Sequence, residues 1–353
     1  MSTSGPRSSG VTIYEVAQRA GVSIATVSRT FSDGAKVAPA TREAVHAAAR
    51  ELRYVPAAAA RALAVRRSRA LGVVLPHIDG PYFAQLLVGF ELAASELGFS
   101  VVLALDTPHT GRPSAVLDML GRVDGMAFMA RSAAEDGTVR EVAGLRPTVS
   151  VARAHVEGAD AFYAENRESA RRLTAHLIDH GRTRIGFAGT PEPGSDIGRR
   201  YRGYLDAMTA AGLRPGRHDE ITPVEASGTA LAERILTEPG DLDALVCGND
   251  EIALAVVARL TRGGMSVPED LAVTGWDDTI TARYLTPGLT TVRQEVAQLG
   301  GLAARRLAAR IDGEPAQAPV TVASTIVRRR SCGCPDTASP TASPTASPTK
   351  ESS

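Results

Sequence analysis

Residues 11–32 read VTIYEVAQRAGVSIATVSRTFS, and this stretch decides the fold at the start of the chain. Thr12 is placed to cap a first helix, and Glu15 three residues later completes a capping box. Gly21 then supplies a turn, and Ser23 is placed to cap a second helix. Two helices joined by a glycine turn at this spacing form a helix-turn-helix, whose second helix lies in the major groove of DNA. The stretch therefore predicts a DNA-binding unit.

Basic residues are concentrated around this stretch. Residues 1–70 hold eleven Arg and Lys against four acidic residues, a net charge of +7, although the whole chain carries 39 of each and is neutral. The body, residues 71–335, carries −6 and the last 18 residues −1. A basic head on an acidic body is expected of a protein that presents one end to phosphates.

Three stretches together resemble the DNA-binding headpiece of the LacI-type family of bacterial repressors: VTIYEVAQRAGVSIATVSRTFS, TREAVHAAARELRYVP and ARALA. The resemblance continues to about residue 330. It implies an N-terminal all-α helix-turn-helix headpiece on an α/β core of two periplasmic-binding-protein-like lobes, with parallel sheets flanked by helices.

The resemblance and the composition together divide the chain into five segments. They are a disordered Ser/Gly-rich N-terminus at 1–10, the headpiece at 11–55, a hinge helix or linker at 56–67, the core at 68–335 and a disordered tail at 336–353. Lobe 1 is expected at about 68–164 and 294–323, and lobe 2 at about 165–292 and 324–330. The tail repeats Thr-Ala-Ser-Pro three times and has none of the leucine repeats that join some family members into tetramers. A homodimer is therefore expected.

Apolar runs and helical patterns alternate through the core. The runs lie at 71–75, 100–105, 125–129, 148–151, 184–188, 244–247 and 271–274, and the helical patterns at 83–97, 168–180, 199–211, 250–262 and 294–311. This alternation is typical of parallel α/β sheets. Such folds bind ligands beyond the carboxyl ends of their strands, which here predicts a cleft between the lobes.

The resemblance assigns base-reading positions to the second helix. Ile24, Ala25 and Arg29 correspond to the residues that face base edges, and an arginine there grips guanine with two hydrogen bonds. Ile24 and Ala25 are less polar than the usual pair, and core packing is the alternative role for Ile24. The expected contacts also include the hydroxyl residues Ser23, Thr26 and Ser28, suited to phosphates, and Thr12 at the start of the first helix.

The alanine-rich hinge is expected to fold only on DNA. A segment of about eight residues is too short to be a stable helix alone in water. By resemblance, two hinges pair in the minor groove, and Leu63 parts the central base step. Ala60 and Arg61 are the neighbouring expected contacts. The alternative for Leu63 is the apolar face of an ordinary linker helix.

The resemblance also implies an effector-binding site in the cleft. The corresponding residues are Tyr82, Phe83, Arg200, Asn249, Trp276 and Asp277. Arginine, asparagine and aspartate together offer paired donors and acceptors for a sugar's adjacent hydroxyls. Without the resemblance, Asp277 would be interpreted as a turn cap and Arg200 as a surface residue. Ala152 stands where many relatives have aspartate, so one expected cleft carboxylate is missing.

The three cysteines predict neither a metal site nor a disulfide. Cys332 and Cys334 form Cys-x-Cys and Cys247 lies in an apolar run, with no histidine nearby at metal-ligand spacing. An odd count argues for reduced thiols, and a regulatory thiol pair is left open. No cofactor is expected. Catalysis is not expected either, because the chain has no nucleophile elbow or phosphate-binding loop.

The leading hypothesis is a sequence-specific transcriptional regulator, a repressor of carbohydrate uptake or catabolism genes that leaves a palindromic operator when a sugar-like effector binds. The alternatives are a regulator that needs a non-sugar corepressor and a solute-binding module. Its expected partners are double-stranded operator DNA, the small effector and a second copy of itself. No apolar run approaches the ~20 residues of a membrane span, and no signal-peptide pattern is present, so a cytoplasmic location without membrane contact is expected.

Overall fold

The structure is a computed structural model, and it describes residues 11–32, 36–54, 68–78, 80–106, 115–238 and 240–335. The chain forms two compact units, residues 1–70 with 121–124 and residues 71–120 with 125–353. The hinge residues Ala60, Arg61 and Leu63 and both ends expected to be disordered lie outside the described residues.

The first unit contains the predicted helix-turn-helix. Its helices are α1 (Ile13–Ala20), α2 (Ile24–Ser32) and α3 (Pro39–Glu51). The Glu15 carboxylate accepts hydrogen bonds from the backbone N–H and the hydroxyl of Thr12, at 2.7 and 2.9 Å, which holds the start of α1. Gly21 ends α1 in the left-handed conformation, with φ of 68°. The three helices share a small apolar core of Val16, Ala17, Val27, Val45, Ala48 and Ala49.

The larger unit contains a six-stranded sheet. Its strands are β1 (Ala70–Leu75), β2 (Ser100–Leu105), β3 (Gly125–Met129), β4 (Thr148–Val151), β5 (Asp160–Ala164) and β11 (Val320–Val322), in the order β11-β5-β4-β3-β1-β2. The pairings from β1 through β3, β4 and β5 to β11 are parallel. The helices of this lobe are α4 (Pro81–Glu96), α5 (Ala115–Leu120), α6 (Asp136–Leu145) and α12 (Val296–Ile311).

Glycines allow α4 and α12 to pack at backbone distance. A Cβ atom at Gly89 would overlap the carbonyl of Ala297, and one at Gly300 would overlap the carbonyl of Leu86. Backbones this close exclude any larger residue at the crossing. The packed pair covers the core of the six-stranded sheet, which includes Leu71, Val73, Phe90, Val149 and Leu307.

A second sheet of four strands forms the other lobe. Its strands are β6 (Ile185–Ala188), β7 (His218–Asp219), β8 (Ala244–Cys247) and β9 (Ala272–Thr274), in the parallel order β7-β6-β8-β9. Its helices are α7 (Arg167–Asp179), α8 (Asp196–Ala210), α9 (Glu225–Thr237), α10 (Asp250–Arg262) and the short α11 (Ile280–Tyr284).

The chain passes between the two sheets at three places within the described residues. These crossovers follow β5, β10 (Thr291–Gln294) and β11, and the last one leads directly into β12 (Ser324–Val327). Strands β10 and β12 pair antiparallel, with Gln294 opposite Ser324. A 3₁₀ turn at Arg330–Cys332 follows β12. The two lobes are therefore linked by three adjacent chain segments.

The predicted fold class is confirmed. Strands β2, β3, β4 and β8 and helix α10 have the predicted bounds. Helix α8 begins at Asp196 rather than at 199, because the Ser195 hydroxyl accepts a hydrogen bond from the N–H of Gly198 and caps it. Helix α12 begins at Val296 rather than at 294, because Gln294 pairs with Ser324 in a strand. No helix in the described part of the chain is long and apolar enough to cross a membrane.

Candidate nucleic-acid interface and ligand cavity

The start of α2 presents an exposed surface. Ile24 is 41% exposed, and Ser23, Ala25 and Arg29 are exposed as well, whereas Val27 on the opposite face is fully buried. Burial of Val27 fixes which side of the short helix faces outward. Ile24 is therefore not a core residue, and the alternative role considered for it does not apply.

Two of the predicted phosphate-contacting hydroxyls already have local partners. Ser23 Oγ lies 2.9 Å from Thr26 Oγ1 and accepts a hydrogen bond from the Thr26 backbone N–H at 3.1 Å. These bonds make Ser23 the cap of α2 and leave oxygen lone pairs on both side chains. Thr26 and Ser28 are half-buried, and Thr12 is exposed at the start of α1.

An exposed aromatic residue was missed by the sequence argument. Tyr14, in the first turn of α1, is 68% exposed. It lies off the apolar face of α1, whose buried members are Val16 and Ala17. The sequence could have predicted this exposure from the helical spacing, because a large aromatic residue outside the apolar face of a helix is a candidate contact residue.

A cavity of about 460 Å³ lies between the two lobes. Its lining comes from residues that follow the carboxyl ends of the strands in both sheets, where α/β folds bind ligands. Five of the six predicted effector residues line it: Tyr82, Phe83, Arg200, Asn249 and Asp277. The structure thus brings together residues almost 200 positions apart in the sequence.

Arg200 is held rigidly at the floor of the cavity. It is 5% exposed, its Nε donates to Asn166 Oδ1 at 2.7 Å and its Nη1 donates to the carbonyl of Gly248 at 2.6 Å. Nη2 lies 3.8 Å from the Asp196 carboxylate, beyond hydrogen-bonding distance. A guanidinium fixed on two sides and presented on the third is a preorganised donor for a polar ligand.

Trp276 lies behind this lining rather than in it. Its side chain is fully buried, and the guanidinium carbon of Arg200 is 4.6 Å from the centre of its ring. An arginine stacked on a buried indole gains a cation–π interaction and loses side-chain freedom. The structure therefore gives Trp276 a supporting position under Arg200, away from the cavity surface.

Asp277 occupies an uncommon backbone conformation at the cavity wall. Its φ is 117°, which a non-glycine residue adopts only under constraint from its surroundings. The Gln294 side chain donates to Asp277 Oδ1 at 2.5 Å. Burial raises the pKa of Asp277 to about 8, although the neighbouring Arg200 opposes the shift.

The adjacent Asp278 has a different role. Its side chain is 1% exposed and accepts hydrogen bonds from Arg293 at 2.7 Å and from Arg329 at 2.6 Å. Arg293 lies on β10 and Arg329 lies just beyond β12. Asp278 therefore fastens the segment after β9 to the crossover strands and does not face the cavity.

Asn249 lines the cavity, but its polar atoms bond to the protein. Its Oδ1 accepts a hydrogen bond from the N–H of Ile252 at 3.1 Å, as the cap of α10, and its Nδ2 donates to the carbonyl of Pro223 at 3.2 Å. Asn249 therefore shapes the wall more than it offers hydrogen bonds.

The two neighbouring aromatic residues, Tyr82 and Phe83, have different environments. Phe83 is 4% exposed and packs in the core of the first lobe, with only an edge at the cavity. The buried Tyr82 hydroxyl has no hydrogen-bond partner within the described ranges. Burial also raises the pKa of Tyr82, so the hydroxyl stays protonated as a donor.

Further carboxylates of the lining were not predicted. Asp196, the first residue of α8, lies beside Arg200, and burial raises its pKa above the usual value. Ala152 lines the cavity with φ of 58°. The carboxylate expected near position 152 is therefore absent, and Asp196 supplies one from the opposite lobe. The sequence did contain a signal for Asp196, because Ser195 directly before it caps the helix and so places Asp196 in the first turn.

Two histidines lie beside the Cys-x-Cys pair in the structure. The sequence predicts no metal site, because no histidine lies near Cys332 and Cys334 in the chain, but the fold brings the side chains of His176 and His180 to the two sulfur atoms. All four ligand atoms lie within 4.8 Å of one another.

Comparison with known proteins agrees with both units. Residues 12–57 match the family of bacterial regulatory proteins, lacI family, and residues 174–332 match a periplasmic binding protein-like domain. Catabolite control protein A of Priestia megaterium is 32% identical over 327 residues, which cover 90% of this chain and 96% of that protein. The chain belongs to the lacI family.

Other lacI-family proteins are similar over the same length. The HTH-type transcriptional regulator CelR of Thermobifida fusca is 33% identical over 345 residues, covering 91% of this chain and 98% of CelR. A structure of the lac repressor dimer bound to operator and the anti-inducer ONPF matches with a TM-score of 0.81 at 26% identity, covering 92% of this chain and 99% of that one. This lacI-family chain is a DNA-binding transcriptional regulator and not an enzyme.

Proposed function

We propose that this regulator is a repressor that binds a palindromic operator as a dimer and leaves it when a neutral, sugar-like effector fills the cavity between the lobes. The genes it controls would then serve carbohydrate uptake or catabolism. The observation that carries the proposal is the position of Arg200 and Asp277, which meet at the cavity and are each bonded to a crossover between the lobes.

The charges of the lining favour a neutral ligand with many hydroxyls. Five carboxyl groups line the cavity against three guanidinium groups, and burial raises the pKa values of Asp196 and Asp277. A phosphate-like anion would therefore find no excess of positive charge to attract it. The mixture of donors and acceptors suits vicinal hydroxyls, and the volume is in the usual range for small-ligand sites. A solved CelR structure is a complex with cellobiose, and it matches this chain with a TM-score of 0.66 at 30% identity.

Ligand contacts at these residues would reach the crossovers directly. Asn166, the partner of Arg200, directly precedes α7, where the chain has just left the first sheet after β5. Gln294, the partner of Asp277, is the last residue of β10, where the chain returns. A ligand that bonds to Arg200 and Asp277 in the second lobe and to the Tyr82 hydroxyl in the first would therefore change the angle between the lobes. The effector can shift operator affinity only by its differential affinity for the two lobe arrangements.

An apolar surface on the first lobe supports the dimer. Val88 and Leu92 lie one turn apart on α4 and are 57% and 58% exposed. Leu103 and Leu105 on the edge strand β2 are also exposed. These four residues are called the apolar strip below. Exposed apolar side chains on a helix and on the edge strand beside it are typical of a protein interface.

Mass measurement of two variants tests the dimer. Leu92→Glu places a charge in the strip and is expected to give monomers by size-exclusion chromatography with light scattering. Leu145→Glu is the matched control, because Leu145 on α6 is 59% exposed outside the strip. Loss of the dimer in both variants, or in neither, would contradict the assignment of this surface.

Operator binding tests the function as a whole. Fluorescence anisotropy at fixed salt, with the promoter region of the chain's own gene, would be measured alone and with a panel of mono- and disaccharides. One sugar is expected to weaken specific binding at millimolar concentration or below. A sugar that strengthens binding would establish the corepressor alternative instead. Specific binding that no sugar alters would contradict the sugar assignment, and the absence of specific binding would contradict the repressor proposal.

A further inference from the structure

We infer that His176, His180, Cys332 and Cys334 form a tetrahedral zinc site that fastens the end of the second lobe. His176 Nε2 lies 3.4 Å from the sulfur atoms of both Cys332 and Cys334, and His180 Nε2 lies 3.4 Å from Cys334 Sγ. The site is separate from the cavity, since none of the four residues lines the cavity.

The distances match those between ligands of a bound zinc ion. Zinc–nitrogen and zinc–sulfur bonds of about 2.0 and 2.3 Å at tetrahedral angles place N and S about 3.5 Å apart. Three of the four nitrogen–sulfur distances in the cluster are 3.4 Å, and the fourth is no more than 4.8 Å. Two imidazoles and two thiolates at this spacing are a donor set that selects zinc over harder cations.

Local structure aims all four ligands at one point. His176 and His180 are four residues apart at the end of α7, so they lie on the same face of the helix. Their rings meet edge to face with centroids 4.6 Å apart. Gly333 has φ of 103°, a left-handed turn that a side chain would strain, and it separates the two cysteines. Both sulfur atoms thereby turn toward the helix.

The surroundings of Cys332 suit a thiolate ligand. Cys332 is fully buried, and the Thr290 hydroxyl lies 3.0 Å from its sulfur atom and 2.7 Å from the Arg329 carbonyl, either of which can accept its one hydrogen bond. Hydrogen bonds of this kind orient metal ligands and stabilise their charge. The site also lies at the carboxyl end of α7, where the helix dipole favours a cation.

Zinc would join two segments that are 156 residues apart in the sequence. The 3₁₀ turn of Cys332 packs beside β9, where Ser331 Oγ donates to the carbonyl of Val273 at 2.6 Å. A closed site with four protein ligands has no open position for substrate, so its role is structural. Binding free energy at such a site adds to the stability of the folded state.

Zinc content of the full-length protein tests the inference. The protein would be purified under reducing conditions without chelator or histidine tag, and zinc measured by mass spectrometry of the element. About one zinc per chain is expected. His180→Gln and Cys334→Ser, at the partly exposed edge of the cluster, are expected to reduce this to near zero. The controls His155→Gln and Cys247→Ala change the same residue types elsewhere and should retain the metal.

Cobalt substitution checks the geometry independently of the variants' stability. Replacing zinc by Co²⁺ in the intact protein is expected to give the visible spectrum of a tetrahedral ion with thiolate ligands. The inference would be overturned if the reduced protein contained no stoichiometric zinc and also failed to bind added Zn²⁺ or Co²⁺. A Cys332–Cys334 disulfide in freshly isolated protein would overturn it too, as would equal zinc content in the four variants.

Discussion

The recognition surface of α2 and the cavity between the lobes use opposite means to present functional side chains. On α2, Ile24, Ala25 and Arg29 are exposed, and the helix is held by residues on its other face. In the cavity, Arg200 and Asp277 are buried and bonded to neighbouring residues. Function and stability are therefore separable in the headpiece and coupled in the core. Substitutions in the two regions are expected to differ accordingly.

The largest effect is expected at a buried carboxylate of the core. Asp278→Asn leaves the guanidinium groups of Arg293 and Arg329 without their charged partner, and it should lower the free energy of unfolding by about 3 kcal/mol. Asp277→Asn, one residue earlier, should not lower it, because the amide oxygen still accepts from Gln294 and no buried carboxyl has to stay protonated. Urea unfolding of both variants measures the difference. Equal destabilisation would show that Asp277 is as structural as Asp278.

Substitution of Arg200 should weaken ligand binding. The loss of binding free energy should be slightly smaller than the loss of unfolding free energy in Asp278→Asn. Arg200→Gln removes the fixed donor at the cavity floor, and effector affinity is expected to fall about 100-fold or more. The identified sugar would be titrated by calorimetry. Arg202→Gln on the exposed face of the same helix is the control and should bind normally. Wild-type affinity in folded Arg200→Gln would contradict the proposed site.

Arg29 should affect operator recognition alone. Arg29→Ala removes an exposed side chain, and specific affinity is expected to fall about 10- to 100-fold, with discrimination lost at one base pair of each half-site. The melting temperature should not change. Arg50→Ala removes the same charge from α3 and should weaken all DNA sequences alike and only slightly. If Arg29→Ala also weakened all sequences equally, Arg29 would be a phosphate contact.

The pH dependence of stability should also distinguish the buried core from the exposed headpiece. Burial raises the pKa of Asp277 to about 8 and that of Asp250 to about 6, above the ordinary aspartate value of 3.8. The folded state then holds protons that the unfolded chain releases, so the free energy of unfolding falls as pH rises from about 4 to 8. Asp277→Asn should flatten the part of this fall above pH 6. An unchanged slope would show that Asp277 is ionised throughout.

Much of the headpiece could be predicted because its signals are local. Thr12 and Glu15 cap a helix three residues apart, and Gly21 ends it within the same stretch. The exposed position of Ile24 agrees with the base-reading position that the resemblance assigned to it. Short-range patterns of this kind specify backbone geometry without knowledge of the rest of the fold. Tyr14 was missed although its helical position was available.

The core was predictable as alternating strands and helices but not in its contacts. Trp276 was assigned to the ligand surface by the resemblance, yet its aromatic ring packs under Arg200. Gln294, the last residue of strand β10, was included in the helix that follows, because its partner Ser324 on β12 lies 30 residues later. The ligands His176 and Cys332 were separated by 156 positions, so sequence spacing could not reveal them. Only the three-dimensional fold determines such proximity.

Coupling between the cavity and the operator is the central claim, and thermodynamic reciprocity tests it most directly. The affinity of the effector would be measured by calorimetry for the free protein and for the protein saturated with operator. If the sugar weakens operator binding by some factor, the operator must weaken sugar binding by the same factor. The account predicts equal factors, both lost in Arg200→Gln. Identical sugar affinity with and without operator would contradict it.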